Sequence, residues 1–210
     1  METSKIGKLV IVRHHESEWN KLGKWTGVVD VHLSAFGFEQ SKKMGELIKD
    51  INFDYIFTSI QIRAKETLEQ MFSVRDTNSA DIPLEEAREL NERDYGDYTG
   101  KNKWDMEKIL GHEEFIKLRR GWDYPIPNGE SLKMVYERSV PFFISKILPL
   151  LRENKNVLIV AHGNSLRSIM KYIENISDED ISNVEMPFGG ILIYDLDTNG
   201  HLINKETRQV

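Results

Sequence analysis

The chain has 210 residues, 40% of them hydrophobic and 30% charged, with a net charge of −6 at pH 7 and no cysteine. Length and composition suit a single domain over residues 1–210 and exclude a disordered or fibrous chain. Without cysteine there is neither a disulfide framework nor a zinc ribbon.

The acidic balance argues against a nucleic-acid partner, which calls for a positive surface field. An anionic ligand must then be held by a local cluster of Arg and Lys. No stretch approaches the ~18 consecutive apolar residues of a membrane span, and Met1–Lys8 lacks the apolar run of a targeting segment. A cytoplasmic location with no membrane partner is the expectation.

In chain order, Leu9-Val10-Ile11-Val12 is a β-branched run that reads as a strand buried on both faces. Ser34 is a plausible N-cap for a helix whose apolar positions Phe38, Met44, Leu47, Ile48 and Ile51 follow helical spacing. Tyr55–Thr58 is a short strand, and Ile62–Met71 a helix. Val74–Pro83, rich in Asp, Asn, Ser and Thr, reads as a surface loop.

Trp104–Arg120 is expected as one helix. Another runs from Ser131 towards Leu151, kinked or broken at Pro141 and Pro149. Asn156–Ala161 repeats the buried-strand pattern, Ser165–Ile173 follows as a helix, and Gly190–Asp195 is a last strand. Alternating strands and helices define a layered α/β domain.

The two strongest strands exit into polar sequence, Val12-Arg13-His14-His15-Glu16-Ser17 and Ala161-His162-Gly163-Asn164-Ser165. Ligands of open α/β sheets bind outside the carboxyl ends of the strands. Neighbouring strands would bring both imidazoles into one crevice. A lone histidine at a loop start is ordinarily a satisfied polar residue; two of them, flanked by Arg13 and Asn164, favour chemistry.

A nucleophilic histidine must present an unprotonated nitrogen, and an adjacent arginine disfavours the imidazolium. A phosphoryl group in transit spreads negative charge over its equatorial oxygens, which planar guanidinium donors stabilise. His14 is thus the candidate nucleophile and His162 a second donor. The competing chemistry, a metal held by both histidines and a carboxylate, lacks a close-spaced ligand pair and would set a cation among arginines.

The string Arg13-His14-His15-Glu16-Ser17-Glu18-Trp19-Asn20, with Thr26-Gly27, Asp30 and Leu33-Ser34-x-x-Gly37, resembles the start of the histidine phosphatase superfamily. More narrowly, it resembles the cofactor-dependent phosphoglycerate mutases. Thr58-Ser59 with Arg63-Ala64-x-x-Thr67 is similar to the family's second arginine motif. Glu89-Leu90-Asn91-Glu92-Arg93-x-Tyr95-Gly96, then Gly100 and Asn102-Lys103, looks like the mutase segment. Arg119-Arg120-Gly121 looks like its arginine pair, and Ala161-His162-Gly163-Asn164-Ser165-Leu166-Arg167 its second histidine motif.

The resemblance implies a three-layer α/β/α fold with a mostly parallel sheet. It implies an isomerase that interconverts 3-phosphoglycerate and 2-phosphoglycerate in glycolysis and gluconeogenesis, without a metal. A phosphohistidine on His14 would be primed by 2,3-bisphosphoglycerate. Arg13, Arg63 and His162 would hold the transferred group, and Glu92 would move the proton of the substrate hydroxyl. Ser17, Asn20, Thr26, Gly27, Arg93, Gly163 and Asn164 would contribute substrate contacts, and Tyr95, Lys103, Arg119 and Arg120 would hold the carboxylate and second phosphate. Alternatives are a phosphatase of a small phosphorylated metabolite or of bisphosphoglycerate, and an anion-binding module without turnover.

Several features depart from the family. His15 stands where the family has glycine, and crowding of the phosphate or a strained φ would slow turnover. Val28 replaces the usual tryptophan. Asp123 reaches Glu130-Ser131 almost directly, without the segment that long mutases carry there, and the tail beyond Asp195 is short. A homodimer and a monomer both remain open.

Overall fold

The computed structural model describes residues 6–210. Residues 1–5, part of the stretch read for a targeting segment, lie outside the described residues. Strands β1 (Leu9–Arg13), β2 (Tyr55–Ser59), β3 (Leu84–Ala87), β4 (Val157–Ala161), β5 (Ile191–Leu196) and β6 (Leu202–Arg208) form one sheet in the order β3-β2-β4-β1-β5-β6. The first four run parallel; β5 is antiparallel to β1, and β6 is antiparallel to β5.

The central strands are apolar on both faces because both are covered. Leu9, Ile11, Val157 and Ile159 face Phe143, Ile147, Leu166 and Ile169, from the chain around α6 (Leu132–Phe142) and α7 (Leu148–Arg152) and from α8 (Gly163–Ile173). Val10, Val12, Leu158 and Val160 face Met44, Ile48, Leu68 and Met71, from α2 (Ala35–Leu47) and α3 (Ile62–Phe72) with its flank. The arrangement is the expected three-layer α/β/α fold with a mostly parallel sheet. No helix among the described residues is long and apolar enough to cross a membrane.

Ser34 caps α2 as expected, accepting from the Gly37 amide at 3.0 Å. Residues 74–83 carry only a short 3₁₀ turn at Ser79–Asp81. The strands expected from Leu9, Tyr55, Asn156 and Gly190 start within about a residue of observed strands. Two edge strands, β3 and β6, escaped the sequence pattern: nearly every residue of each is exposed, so neither alternates.

The helix expected over Trp104–Arg120 is two helices, α4 (Lys103–Leu110) and α5 (His112–Arg120). They part at Gly111, whose φ of +79° an α-helix cannot contain. Pro141 sits inside α6, and a wide π-helical turn over Phe143–Ile147 carries the chain into α7. That turn accommodates the kink expected near the prolines. A short helix, α1 (Glu18–Lys21), follows the exit of β1. α4 and α5 close over the carboxyl ends of the strands through a separate core of Trp25, Phe115, Leu118 and Ile126.

Candidate active site

β1 and β4 pair in parallel with Arg13 opposite Ala161, so the next residues, His14 and His162, leave the sheet side by side. Their ring centroids lie 4.9 Å apart and both side chains are buried.

Hydrogen bonding assigns the tautomer of each ring. His14 Nδ1 lies 2.6 Å from the His15 carbonyl oxygen, which can only accept. Nδ1 therefore carries the proton, and Nε2 keeps its lone pair. Ser59 Oγ accepts from the Gln61 amide at 3.2 Å and lies 2.6 Å from His162 Nε2. Nε2 is the one acceptor beside this buried hydroxyl among the described residues, so the hydroxyl donates to it. The proton of His162 is then on Nδ1, a buried atom with no partner among the described residues. One ring presents a nucleophilic nitrogen and its neighbour a free donor.

Burial holds the pKa of both rings well below the usual histidine value of 6.5, and the Arg63 and Arg13 charges push the same way. Both imidazoles are neutral near pH 7.

The guanidinium of Arg63 is almost wholly buried. It donates to the Val29 and Gly27 carbonyls at 3.0 and 2.9 Å, and burial lowers its pKa to about 10. Arg13 donates from Nη1 to the Met186 carbonyl at 2.6 Å, while its Nε is buried without a partner. Thr26 Oγ1 is also buried and unpartnered. Buried polar groups are ordinarily satisfied, so these atoms and His162 Nδ1 outline a place for an oxyanion. Arg13, His14, Asn20, Thr26, Gly27 and Arg63 line one cavity; His162 touches the His14 ring but is not part of that lining.

Glu92, Tyr95, Trp25 and Lys103 line that cavity and also a second, adjoining one completed by Arg119, Arg120, Gly163, Asn164 and Arg167. Glu92 is buried, and its Oε1 accepts from the Arg93 amide, the Asn164 amide and Asn164 Nδ2 at 2.8, 3.2 and 2.9 Å. Burial alone would raise its pKa. The Arg13 charge, the Arg93 N–H and Arg63 outweigh that and hold it below the usual value. Lys103 is lowered to about 8 by burial, Arg119 and Arg13.

Two residues expected at the site have other work. Arg93 is fully buried and lines neither cavity. Its Nη2 donates to the Leu118 and Arg119 carbonyls, and its guanidinium lies over the Tyr95 ring. Ser17 is the N-cap of α1, bonded through Oγ and N–H to Asn20 Oδ1, and lines neither cavity. Asp30 likewise caps α3, accepting from the Ile62 amide at 2.6 Å.

His15 does not crowd the cavity. Its φ is not positive, its ring turns away, and Nδ1 accepts from the Glu16 amide at 2.8 Å.

Sequence reasoning assigned no role to Ser59, Gln61, Trp25, Arg138 or Arg167. Arg167 donates to the carbonyls of Arg120 and Ile181 and to Asn164 Oδ1, so with Arg93 it fixes the C-terminal turn of α5 that presents Arg119 and Arg120. Arg138 donates to the carbonyls of Glu89, Asn91 and Glu92, and Gln61 Oε1 accepts the Glu92 amide, which together position Glu92. The motif strings already contained Ser59 and Arg167; the others carried no local signal.

A buried imidazole with a free lone pair, flanked by guanidinium groups and a carboxylate, is an arrangement for phosphoryl transfer through histidine. The chain belongs to the histidine phosphatase superfamily (branch 1), whose family model matches residues 9–207.

It is 41% identical over 200 residues to the 2,3-bisphosphoglycerate-dependent phosphoglycerate mutase of Parvibaculum lavamentivorans, covering 94% of each chain. It is 39% identical to 2,3-bisphosphoglycerate-dependent phosphoglycerate mutase 2 of Latilactobacillus sakei, covering 96% of this chain and 99% of that one. That alignment runs over 228 residues, more than this chain has, so the relative carries sequence absent here. Among solved structures, Bacillus stearothermophilus YhfR superposes with a TM-score of 0.79 at 25% identity, covering 93% of this chain and 94% of that one.

Proposed function

We propose that this protein is a phosphoglycerate mutase of the cytoplasm that interconverts 3-phosphoglycerate and 2-phosphoglycerate through a phosphohistidine on His14. The observation that carries the reading is a cleft with two cationic ends. Arg13 and Arg63 surround His14, while Lys103, Arg119 and Arg120 line the adjoining cavity, and Glu92 sits between them. A substrate with a reacting phosphate at one end and a second anionic group at the other fits such a cleft, and the relatives named above carry the same activity in their names.

When bound, 2,3-bisphosphoglycerate supplies the phosphoryl group that primes His14. The buried unpartnered atoms, Arg13 Nε, Thr26 Oγ1 and His162 Nδ1, suit that role. His14 Nε2 attacks phosphorus as the P–O bond breaks, and His162 Nδ1–H and the two arginines stabilise the equatorial oxygens. Once His14 carries the phosphoryl group, the Glu92 carboxylate takes the proton of the attacking hydroxyl, and it returns that proton to the alkoxide that leaves when the phosphoryl group goes back to His14. Lys103, Arg119 and Arg120 hold the non-reacting end. No group of three or more His, Asp or Glu among the described residues is arranged to hold a metal.

The test supplies 3-phosphoglycerate with and without a trace of 2,3-bisphosphoglycerate, in chelator, and follows both 2-phosphoglycerate and inorganic phosphate. Primer-dependent 2-phosphoglycerate without stoichiometric phosphate release is expected. Phosphate as the main product would make the protein a phosphatase instead.

A further inference from the structure

The two oxygens of the Glu92 carboxylate are used unequally. Oε1 accepts from the Arg93 amide, the Asn164 amide and Asn164 Nδ2, at 2.8, 3.2 and 2.9 Å. Three N–H groups occupy its lone pairs, so a proton has room only on Oε2. Oε2 accepts from no group among the described residues. Unpartnered and yet not enclosed by protein, it opens to the cavity space that Glu92 lines.

Asn164 supplies two of the three donors, and its amide is held in one orientation. Arg167, on the same face of α8, donates from Nη1 to Asn164 Oδ1 at 3.0 Å. A guanidinium can only donate, so it fixes which end of the amide is oxygen. The Nδ2 hydrogens are then directed to Glu92 Oε1 and, at 3.0 Å, to Tyr95 Oη. Arg167 is anchored in turn by the Arg120 and Ile181 carbonyls at 3.0 and 2.6 Å, and both side chains are buried. Asn164 lines the outer cavity, but with Nδ2 and its backbone N–H engaged it has no donor left for an anionic substrate.

We infer that Arg167, acting through Asn164, positions Glu92 by saturating Oε1, which leaves Oε2 as the single atom through which the substrate's proton passes. The inference rests on the reading of Glu92 as proton carrier given above. With the phosphoryl group on His14, the acceptor's hydroxyl oxygen attacks phosphorus and the P–N bond breaks, its electron pair returning to His14 Nε2. The hydroxyl proton moves to Glu92 Oε2. Arg167 and Asn164 are positioning residues; neither exchanges a proton or bond with the substrate.

Burial raises the pKa of Glu92, and Arg13, the Arg93 N–H, Arg63 and the Asn164 amide together hold it below the usual value. Loss of the Asn164 donor therefore moves it up. The charges facing Glu92 are Arg13 of β1, Arg63 of α3, Lys103 of α4 and Arg167 of α8, all cationic in the acid range. Glu185, the other carboxylate of the outer cavity, is paired with Arg120 and is the same in every variant below.

The experiment phosphorylates the parent enzyme, Asn164→Ala, Asn164→Asp, Arg167→Lys and the Asn164→Ala/Arg167→Lys double variant with ³²P from 2,3-bisphosphoglycerate. Transfer of label to 3-phosphoglycerate is followed by rapid quench across pH. The acid limb of the saturated rate and the acceptor concentration giving half that rate are read separately.

Asn164→Ala is expected to move the acid limb up by about one pH unit, the effect of one hydrogen bond to a charged group, while the half-saturating concentration changes less than about threefold. Asn164→Asp has the same size and still accepts from Arg167, but it sets a second carboxylate beside Oε1, so its limb moves up further. Arg167→Lys keeps the charge and loses the fork that spans Asn164 Oδ1 and the two carbonyls. It should move the limb up by about half a unit in the parent and not at all once Asn164 is alanine.

An acid limb unmoved in both Asn164 single variants would overturn the inference; a half-saturating concentration raised about tenfold with it would mark Asn164 as a substrate ligand instead. An Arg167→Lys shift of equal size with and without Asn164 would overturn the coupling. Transfer at the parent rate by Glu92→Gln would overturn the reading of Glu92 itself, an outcome distinct from an unmoved limb in an enzyme that needs that carboxylate.

Discussion

Ser59→Ala is a sharp test of the site's proton arrangement. Ser59 is completely buried, and its hydroxyl lies 2.6 Å from His162 Nε2. The substitution leaves two buried groups, His162 Nε2 and the Gln61 N–H, without their present partner. An orphaned buried group costs about 1–3 kcal/mol, enough for a roughly 5- to 150-fold effect when it falls on the reacting state. The larger loss comes from the tautomer. Once Nε2 is free to carry the proton, Nδ1 no longer donates to the phosphoryl oxygens, and removal of one preorganised donor slows reaction by about 10²–10³-fold. We expect phosphohistidine formation, followed by rapid quench with excess 2,3-bisphosphoglycerate, to slow about a hundredfold, the middle of these ranges. Equilibrium binding of 3-phosphoglycerate should shift less than about threefold, because Ser59 lines neither cavity. A rate within about twofold of the parent, with the protein melting normally, would refute donation by His162 Nδ1.

Three further predictions follow from the same geometry. Glu92→Gln removes the proton carrier and the one carboxylate of the inner cavity; turnover should fall about 10²–10⁴-fold while inorganic phosphate binds more tightly, as read by calorimetry. Because the folded-state pKa values of His14 and His162 lie well below 6.5, the unfolded chain binds more protons than the folded one once pH drops through that value. Their contribution is fully present above pH 6.5 and declines below it by up to about 1.4 kcal/mol per pH unit for each ring, measurable by urea titration; the rate of phosphohistidine formation should show no inflection at 6.5. Finally, Glu185 pairs with Arg120 at the mouth of the outer cavity. Glu185→Gln frees that arginine for the ligand, so the KM for 3-phosphoglycerate should fall a few-fold at low salt, with the difference shrinking as ionic strength rises.

How far the sequence carries depends on what each residue faces. Leu9–Val12 and Val157–Val160 are legible because both their faces are covered, and their polar exits located the histidine pair. β3 and β6 lie at the two edges of the sheet, where pairing is made by backbone and the exposed side chains Glu85, Asn204 and Glu206 follow no pattern. Gly111 stands in a run that otherwise reads as helix, and only its positive φ reveals a break.

At the site, residue type indicated chemistry but not direction. Arg93 and Arg119 are equally basic in sequence, yet one is buried against the carbonyls of α5 and the other lines the cavity. His15 read as an obstruction because its side chain was expected to point where the family's glycine leaves room. The space that receives it is supplied by Gly189, far away in the chain.

The outer cavity concentrates Arg13, Lys103, Arg119, Arg120 and Arg167 around only Glu92 and Glu185. Like charges so confined repel, so the folded chain is under electrostatic tension that any fitting anion relieves. An anion at a hundred times its dissociation constant adds about 2.7 kcal/mol to the folding free energy. The persistence of this enzyme against unfolding and proteolysis is thereby tied to metabolite supply: a starved cell would hold a softer protein than a fed one.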